Sequence, residues 1–277
     1  QAVNNLIING VLNYGTVPSF FNVNNFLLIN GGGLFNVFDG SVGKSLVVSG
    51  NITNNGTMNV SVGAATDGNL TLNGSTVQTV SGSGTFNSNV IRNLTFSNTN
   101  TTTPNVYWLV NNVKVAYNLN LTGARINLGT NKMIFGNNAS GNTLTAPNGT
   151  GFLPSGKFSR WWTTTATGSA VTANADPTTT TSRYPFIAAN GDSRAMYISR
   201  TNATAAVAGE LAVTYNDATS ITQNLSVSDA GYQITERFNG NWLVSNEGTS
   251  VSSSSYRIVL IAQNALATSN GNVRVMN

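Results

Sequence analysis

The sequence contains no cysteine and no histidine. Disulfides are excluded, and so are the thiolate and imidazole ligands of the usual zinc sites. A serine or threonine nucleophile would find no imidazole to activate it, and nothing in the text around Lys44, Lys114, Lys132 or Lys157 marks a buried lysine for that task. Charge is equally scarce: Asp, Glu, Lys and Arg make up 8% of the 277 residues, against roughly 25% in an ordinary globular chain. The thirteen basic and nine acidic residues give a net charge of +4 but form no run or stripe. That excludes nucleic acid as a partner, because phosphate neutralisation dominates such binding. No stretch of about 18 apolar residues exists to cross a membrane as a helix, and the apolar segments are too short and polar for an outer-membrane barrel.

What the chain has is asparagine, threonine, serine and glycine around short apolar segments. One phrase recurs: Asn5-Leu6-Ile7-Ile8-Asn9-Gly10, Leu27-Leu28-Ile29-Asn30-Gly31, Leu46-Val47-Val48-Ser49-Gly50, Asn69-Leu70-Thr71-Leu72-Asn73-Gly74, Asn93-Leu94-Thr95-Phe96 and Asn118-Leu119-Asn120-Leu121-Thr122-Gly123. The lead leucines recur at intervals of about 19 to about 25 residues, a period that belongs to solenoids. Further strands follow within each repeat at Leu34 to Phe38, Thr57 to Val62, Val77 to Val80, Val106 to Val110 and Lys132 to Phe135. Alternation as in Met58-Asn59-Val60-Ser61-Val62 gives each strand one dry side. Asn9-Gly10, Asn30-Gly31, Asn55-Gly56 and Asn73-Gly74 read as turns that accept positive φ.

The expected fold is all-β: a right-handed parallel β-helix of about six rungs over residues 1–145, with asparagines stacked as ladders at matching turns. An antiparallel sandwich or a β-prism is the competing topology. Pro147, Gly149, Gly151, Pro154 and Gly156 interrupt the rhythm and mark residues 146–160 as a junction. Residues 161–277 then read as an immunoglobulin-like β-sandwich, with strands at Tyr184 to Ala188, Ala195 to Arg200, Glu210 to Tyr215, Ile221 to Val227, Tyr232 to Phe238, Asn241 to Ser245 and Tyr256 to Ala262. Asn239-Gly240 reads as a hairpin turn between two of them.

The stretch Asn69-Leu70-Thr71-Leu72-Asn73-Gly74, Val77-Gln78-Thr79-Val80-Ser81-Gly82-Ser83-Gly84-Thr85-Phe86, Asn93-Leu94-Thr95-Phe96 resembles the repeat-rich surface proteins of Bacteroidetes exported by the type IX secretion route. Tyr184-Pro185-Phe186, Glu210-Leu211-Ala212-Val213-Thr214-Tyr215 and Tyr232-Gln233-Ile234-Thr235 resemble the β-sandwich that follows their repeats. The resemblance implies a secreted protein of the bacterial cell surface, of a group that includes adhesins, filament components and gliding-linked proteins.

Three functional readings follow from the residues. An enzyme acting on polysaccharide would need clustered carboxylates. Asp39 and Asp67 fall on different rungs, while Asp192, Asp217 and Asp229 lie in turn-like text, so no catalytic set and no metal or other cofactor is expected. A glycan-binding module would use exposed rings, and Trp108, Trp161 and Trp162 are the candidates. In Tyr107-Trp108 and Trp161-Trp162 neighbours point to opposite faces, so at most one of each pair is in a given core and the other is exposed or covered at the junction; a plug at the junction is the simpler role for Trp161-Trp162. The favoured reading is a non-enzymatic structural or adhesive element, a subunit of a filament or surface layer. It rests on an uncapped first strand, Leu6, Ile7 and Ile8, with Val273 and Val275 as a strand for donation to a neighbour. The partner is a second copy, the remainder of a longer chain, or a surface glycan. Starting at Gln1, the chain reads as a processed protein or a fragment.

Overall fold

The computed structural model describes residues 1–14, 20–37, 44–60, 68–136, 142–162, 182–200, 208–218, 221–229, 232–248, 251 and 256–265. Asp39, Asp67, Val273 and Val275 lie outside them. Among the described residues there is no α-helix, and one 3-10 turn spans Asn87–Asn89. The solenoid strands are β1 (Ala2–Ile8), β2 (Val11–Asn13), β3 (Phe20–Ile29), β4 (Leu34–Asn36), β5 (Ser45–Val48), β6 (Asn51–Asn54), β7 (Thr57–Asn59), β8 (Asn69–Leu72) and β9 (Gln78–Ser81). They continue as β10 (Thr85–Phe86), β11 (Val90–Phe96), β12 (Val106–Trp108), β13 (Val113–Asn120), β14 (Arg125–Asn127), β15 (Lys132–Phe135), β16 (Thr143–Thr145), β17 (Gly151–Phe152) and β18 (Lys157–Trp162).

Every pairing among these eighteen strands is parallel, as a β-solenoid requires and an antiparallel sandwich forbids. The chain makes about five turns. Each turn contributes three strand positions. On the first, Phe20, Ser45, Asn69 and Asn93 are successive register partners, and Asn118 and Thr143 follow one and two levels on. On this face one turn advances the numbering by 24, as from Asn69 to Asn93, or by 25, as from Asn93 to Asn118. The shorter step from Leu27 to Leu46 is not a short rung. Leu46 stacks on Phe21, whereas Leu27 stacks on Ile52, so the two leucines occupy different faces of the tube.

Alternation within each strand builds the core. Phe21, Leu46, Leu70, Leu94, Leu119 and Leu144 form one buried column on the first face. Leu27, Ile52, Val80 and Trp108 form another on the second. Each such side chain contributes about 1.5–3 kcal/mol by leaving water. The intervening side chains point out, and there the asparagines stack. Asn25 donates to Asn5 (2.8 Å), Asn59 to Asn36 (3.0 Å) and Asn36 to Asn13 (2.7 Å), and a ladder on the first face runs Asn118 to Asn93 (2.8 Å) to Asn69 (2.6 Å) to Ser45 (3.1 Å).

The Asn-Gly pairs work differently from the expectation. None of Gly10, Gly31, Gly56 and Gly74 has positive φ. Asn30 instead donates to Asn9 (2.5 Å) across the rung. Gly56 and Gly74 are small because backbone lies where a side chain would be: a Cβ would sit 2.2 Å from Gly33 O and 2.5 Å from Ser49 O, respectively. The corner between the first two faces is held by buried amides. Gln78 donates to Val48 O (3.0 Å) and Gly50 O (2.8 Å), and accepts from Gly74 N (2.7 Å) and Asn98 Nδ2 (2.8 Å). One level on, Asn105 donates to Asn100 O (3.0 Å) and Gly123 O (2.6 Å) and accepts from Arg125 N (2.8 Å). Buried polar groups are tolerable when satisfied in this way.

Beyond the solenoid lie β19 (Arg183–Tyr184), β20 (Met196–Arg200), β21 (Gly209–Asn216), β22 (Ile221–Asp229), β23 (Tyr232–Phe238), β24 (Asn241–Glu247) and β25 (Tyr256–Leu260). Strand β18, which includes residue 161, pairs with β15 in parallel and with β21 antiparallel, and β24 adds to β21. The solenoid sheet thus runs on without interruption to β24. Strands β19, β20 and β25 form a second sheet, and β22 pairs with β23. One hydrophobic cluster extends from Ile8 through the solenoid to Tyr215 and Val251. Rings seal its upper end: Phe152 stacks on Phe158 (4.6 Å), and contacts continue through Tyr184 and Phe186 to Tyr215 and Trp242.

The expected Asn239-Gly240 hairpin is corrected. Strands β23 and β24, which flank it, pair with β22 and β21 and not with each other. Neither residue has the positive φ of a tight hairpin, and Gly240 is there for room, since a Cβ would lie 2.3 Å from the Phe238 ring.

Candidate functional site

Of the three tryptophans expected to stack on sugars, two have no face to offer. Trp108 is fully buried, stacked on Phe86 at 5.6 Å and edge-on to Phe96 at 6.0 Å. Trp162 is buried and donates its indole N–H to Tyr184 Oη (3.1 Å), as a plug would. Alternation on their strands turns both side chains into the tube, which corrects the glycan assignment for them. Trp161 points outward and is half-buried, with Lys114 Nζ 4.8 Å above the ring.

Around Trp161 the chain gathers much of its sparse charge. Lys132 of β15 lies 2.7 Å from Glu210 of β21 and 3.5 Å from Glu247 of β24, while Lys157 of β18 lies 2.7 Å from Glu247. Glu210 is the direct cross-strand neighbour of both Trp161 and Glu247. The hydrogen bond from Lys157, assisted by Ser245 and Lys132, holds the Glu247 carboxyl below its ordinary range. Burial lowers the Lys114 ammonium despite the pull of Glu210. These ion pairs tie the last parallel strands to the antiparallel ones. They were not among the expected sites, yet one signal was available: Lys132 and Lys157 are register partners, separated by one turn of the solenoid.

Beneath the staple, Arg160 donates to Arg183 O (2.7 Å), and burial brings its guanidinium down to about 10. Arg183 is buried, with Nη1 donating to Ala146 O, while its Nε and Nη2 make no hydrogen bond among the described residues. Burial pushes the Tyr184 and Tyr215 hydroxyls well up; Tyr184 donates to Leu211 O (3.2 Å) and Tyr215 to Asp217 (2.6 Å). Asp192 accepts from Asn190 and Asn264, a turn role. Among the described residues no group of three or more His, Cys, Asp or Glu comes together as a metal site.

The expected assembly residues divide. Ile8 is buried, Leu6 is partly buried against the core, and Ile7 is 52% exposed. They belong to β1, whose outer edge pairs with no strand among the described residues. Beside it opens a hollow of about 300 Å³ lined by Leu6, Leu12, Tyr14, Phe21 and Phe35. Val11 and Phe20 are exposed at the same end.

The other end was not foreseen as a surface. Among the described residues, strand β24 is the last of the sheet and pairs with β21 alone. Leu243 is 59% exposed on one face and Val244 43% exposed on the other. Val244 lies on the same side as buried Val213, its cross-strand partner, and is left partly exposed beyond the rings that close the core. Natural sheets guard such edges with charge, proline or bulges. No charged residue occurs in residues 1–37, and on β24 the one charge is Glu247, held by Lys132 and Lys157. No protein-family model, curated protein or solved structure was found to match the chain.

Proposed function

We propose that this protein is a structural or adhesive element of a bacterial cell surface, acting outside the cell as a subunit of a filament or surface layer. One observation carries the reading: one sheet and the main core run from end to end, and the strands at both ends expose apolar side chains, Ile7 on β1 and Leu243 and Val244 on β24, where the one charge, Glu247, is already engaged by Lys132 and Lys157. A surface rod is served by such a design. Its polar flanks are amides and hydroxyls stacked in ladders, and its free energy of association resides at the ends. The surface location follows the resemblance to repeat-rich Bacteroidetes proteins of the type IX route.

We read the antiparallel end as a sandwich-type cap of immunoglobulin-like kind, its two sheets meeting across Tyr184, Phe186, Ile198 and Tyr215. The glycan reading is left with Trp161, whose ring lies under Lys114, and no second observation favours it.

Sedimentation velocity and negative-stain electron microscopy over a wide concentration range test the assembly, and immunogold labelling of intact expressing cells tests the location. Concentration-dependent rods or sheets on the outer surface are expected. A chain that stays monomeric throughout, or gold confined to the cell interior, would refute the reading.

A further inference from the structure

The two open edges match in direction. From β1 through β3, β5, β8, β11, β13 and β15 to β18 every pairing is parallel. Strand β21 reverses and β24 reverses again, so β24 runs in the same sense as β1. The sheet therefore ends on a strand of the polarity with which it began. At each end apolar surface is exposed, at Leu243 and Val244 above and in the hollow beside Leu6 below. At the lower end the carboxamide oxygens of Asn5, Asn9 and Asn13 accept from the rung above. Their nitrogens remain as donors for a strand placed beneath.

We propose that a second copy of this chain occupies these edges, with β24 of one subunit pairing in parallel with β1 of the next. This deepens the assembly reading and rests on it. Such a contact joins different patches and does not close on itself, so it propagates as a filament. A closed two-fold pairing of β24 with β24 would leave β1 open; the head-to-tail contact covers both edges at once. The path from β1 to β24 contains ten strands. At about 4.8 Å per strand the axial rise per subunit is about 48 Å. Because that path crosses from the first face to the third within β11 and β13, successive subunits are rotated about the axis.

The test places a charge on each edge separately, as Ile7→Lys and Leu243→Lys, both at exposed positions, with circular dichroism and melting to verify the fold. Each variant alone is expected to lose all species larger than the monomer. A one-to-one mixture is expected to form dimers and stop there, because one partner keeps only its β24 and the other only its β1. Cryo-electron microscopy of the wild type is expected to give an axial repeat equal to the rise worked out above. Wild-type filaments that persist in both variants, or dimers formed by Ile7→Lys alone, would overturn this interface and leave the assembly reading standing. A wild type that never assembles, its β24 being a site for another protein, would overturn both.

Discussion

Replacing Gln78 with Met keeps an unbranched side chain of similar size and removes the amide. Gln78 is fully buried, and its four hydrogen bonds bind three successive corners of the tube. Two of its partners have alternatives, since Val48 O also accepts from Asn73 N and Asn98 also donates to Thr76 O. Gly74 N–H and Gly50 O are the groups that lose most. At about 1–3 kcal/mol for each buried unsatisfied group the cost is about 2–6 kcal/mol. For a chain of this length that corresponds to roughly 2 °C of melting temperature per kcal/mol, or about 4–12 °C. Thr79→Ala, on the same strand but facing outward, is expected to stay within about 0.5 kcal/mol. Calorimetry measures both, and amide exchange at Gly74 should accelerate in the first variant alone. A Gln78→Met chain that melts with the wild type would refute the view that this amide holds the corner.

The ion-pair staple gives stability a pH dependence on the acid side. The Glu247 pKa is depressed in the folded state, so its contribution is full above the unfolded carboxylate range and is lost as pH falls through the folded value. Glu247→Gln should flatten the acid limb of the melting-temperature profile relative to wild type, and unchanged profiles would remove the staple from the account. On the alkaline side Tyr184 and Tyr215 are raised, so their stabilisation is present below about pH 10 and is lost above it as the unfolded chain ionises. Spectrophotometric titration of the eight tyrosines should show at least two that ionise only with unfolding. Tyr184→Phe should reduce that number by one, and free titration of all eight in the folded chain would refute the assignment.

How much of this was legible in the sequence depends on distance along the chain. The strands of the solenoid were, because alternation and a near-constant register from one turn to the next are properties of neighbouring text. Lys132–Phe135 and Tyr232–Phe238 coincide with their expected bounds. The face switch between Leu27 and Leu46 was not, because similar phrases occupy both faces. The role of the Asn-Gly pairs was misread because a solenoid turn and a hairpin turn share residue preferences; what separates them is backbone stacked from the adjacent rung. The Trp108 and Trp162 assignments failed because a pair of adjacent rings specifies opposite faces without saying which ring goes in. The charged staple and the open β24 edge depend on antiparallel pairings between strands far apart in the chain, as Trp161 is from Glu210. Local text carries only the one-turn spacing of Lys132 and Lys157 and nothing of the acidic partners.

The register is the claim on which period, ladders, ends and axial rise all rest. Thr71 and Thr95 face outward as direct partners on β8 and β11, and Asn120 stands one level further on. The native chain has no cysteine, so the pair Thr71→Cys with Thr95→Cys can be spin-labelled without background. Adjacent strands lie about 4.8 Å apart and strands two levels apart about 9.6 Å, so dipolar broadening should be strong for that pair and clearly weaker when Thr71→Cys is combined with Asn120→Cys. Equal broadening for the two pairs, or none for the first, would contradict the parallel solenoid.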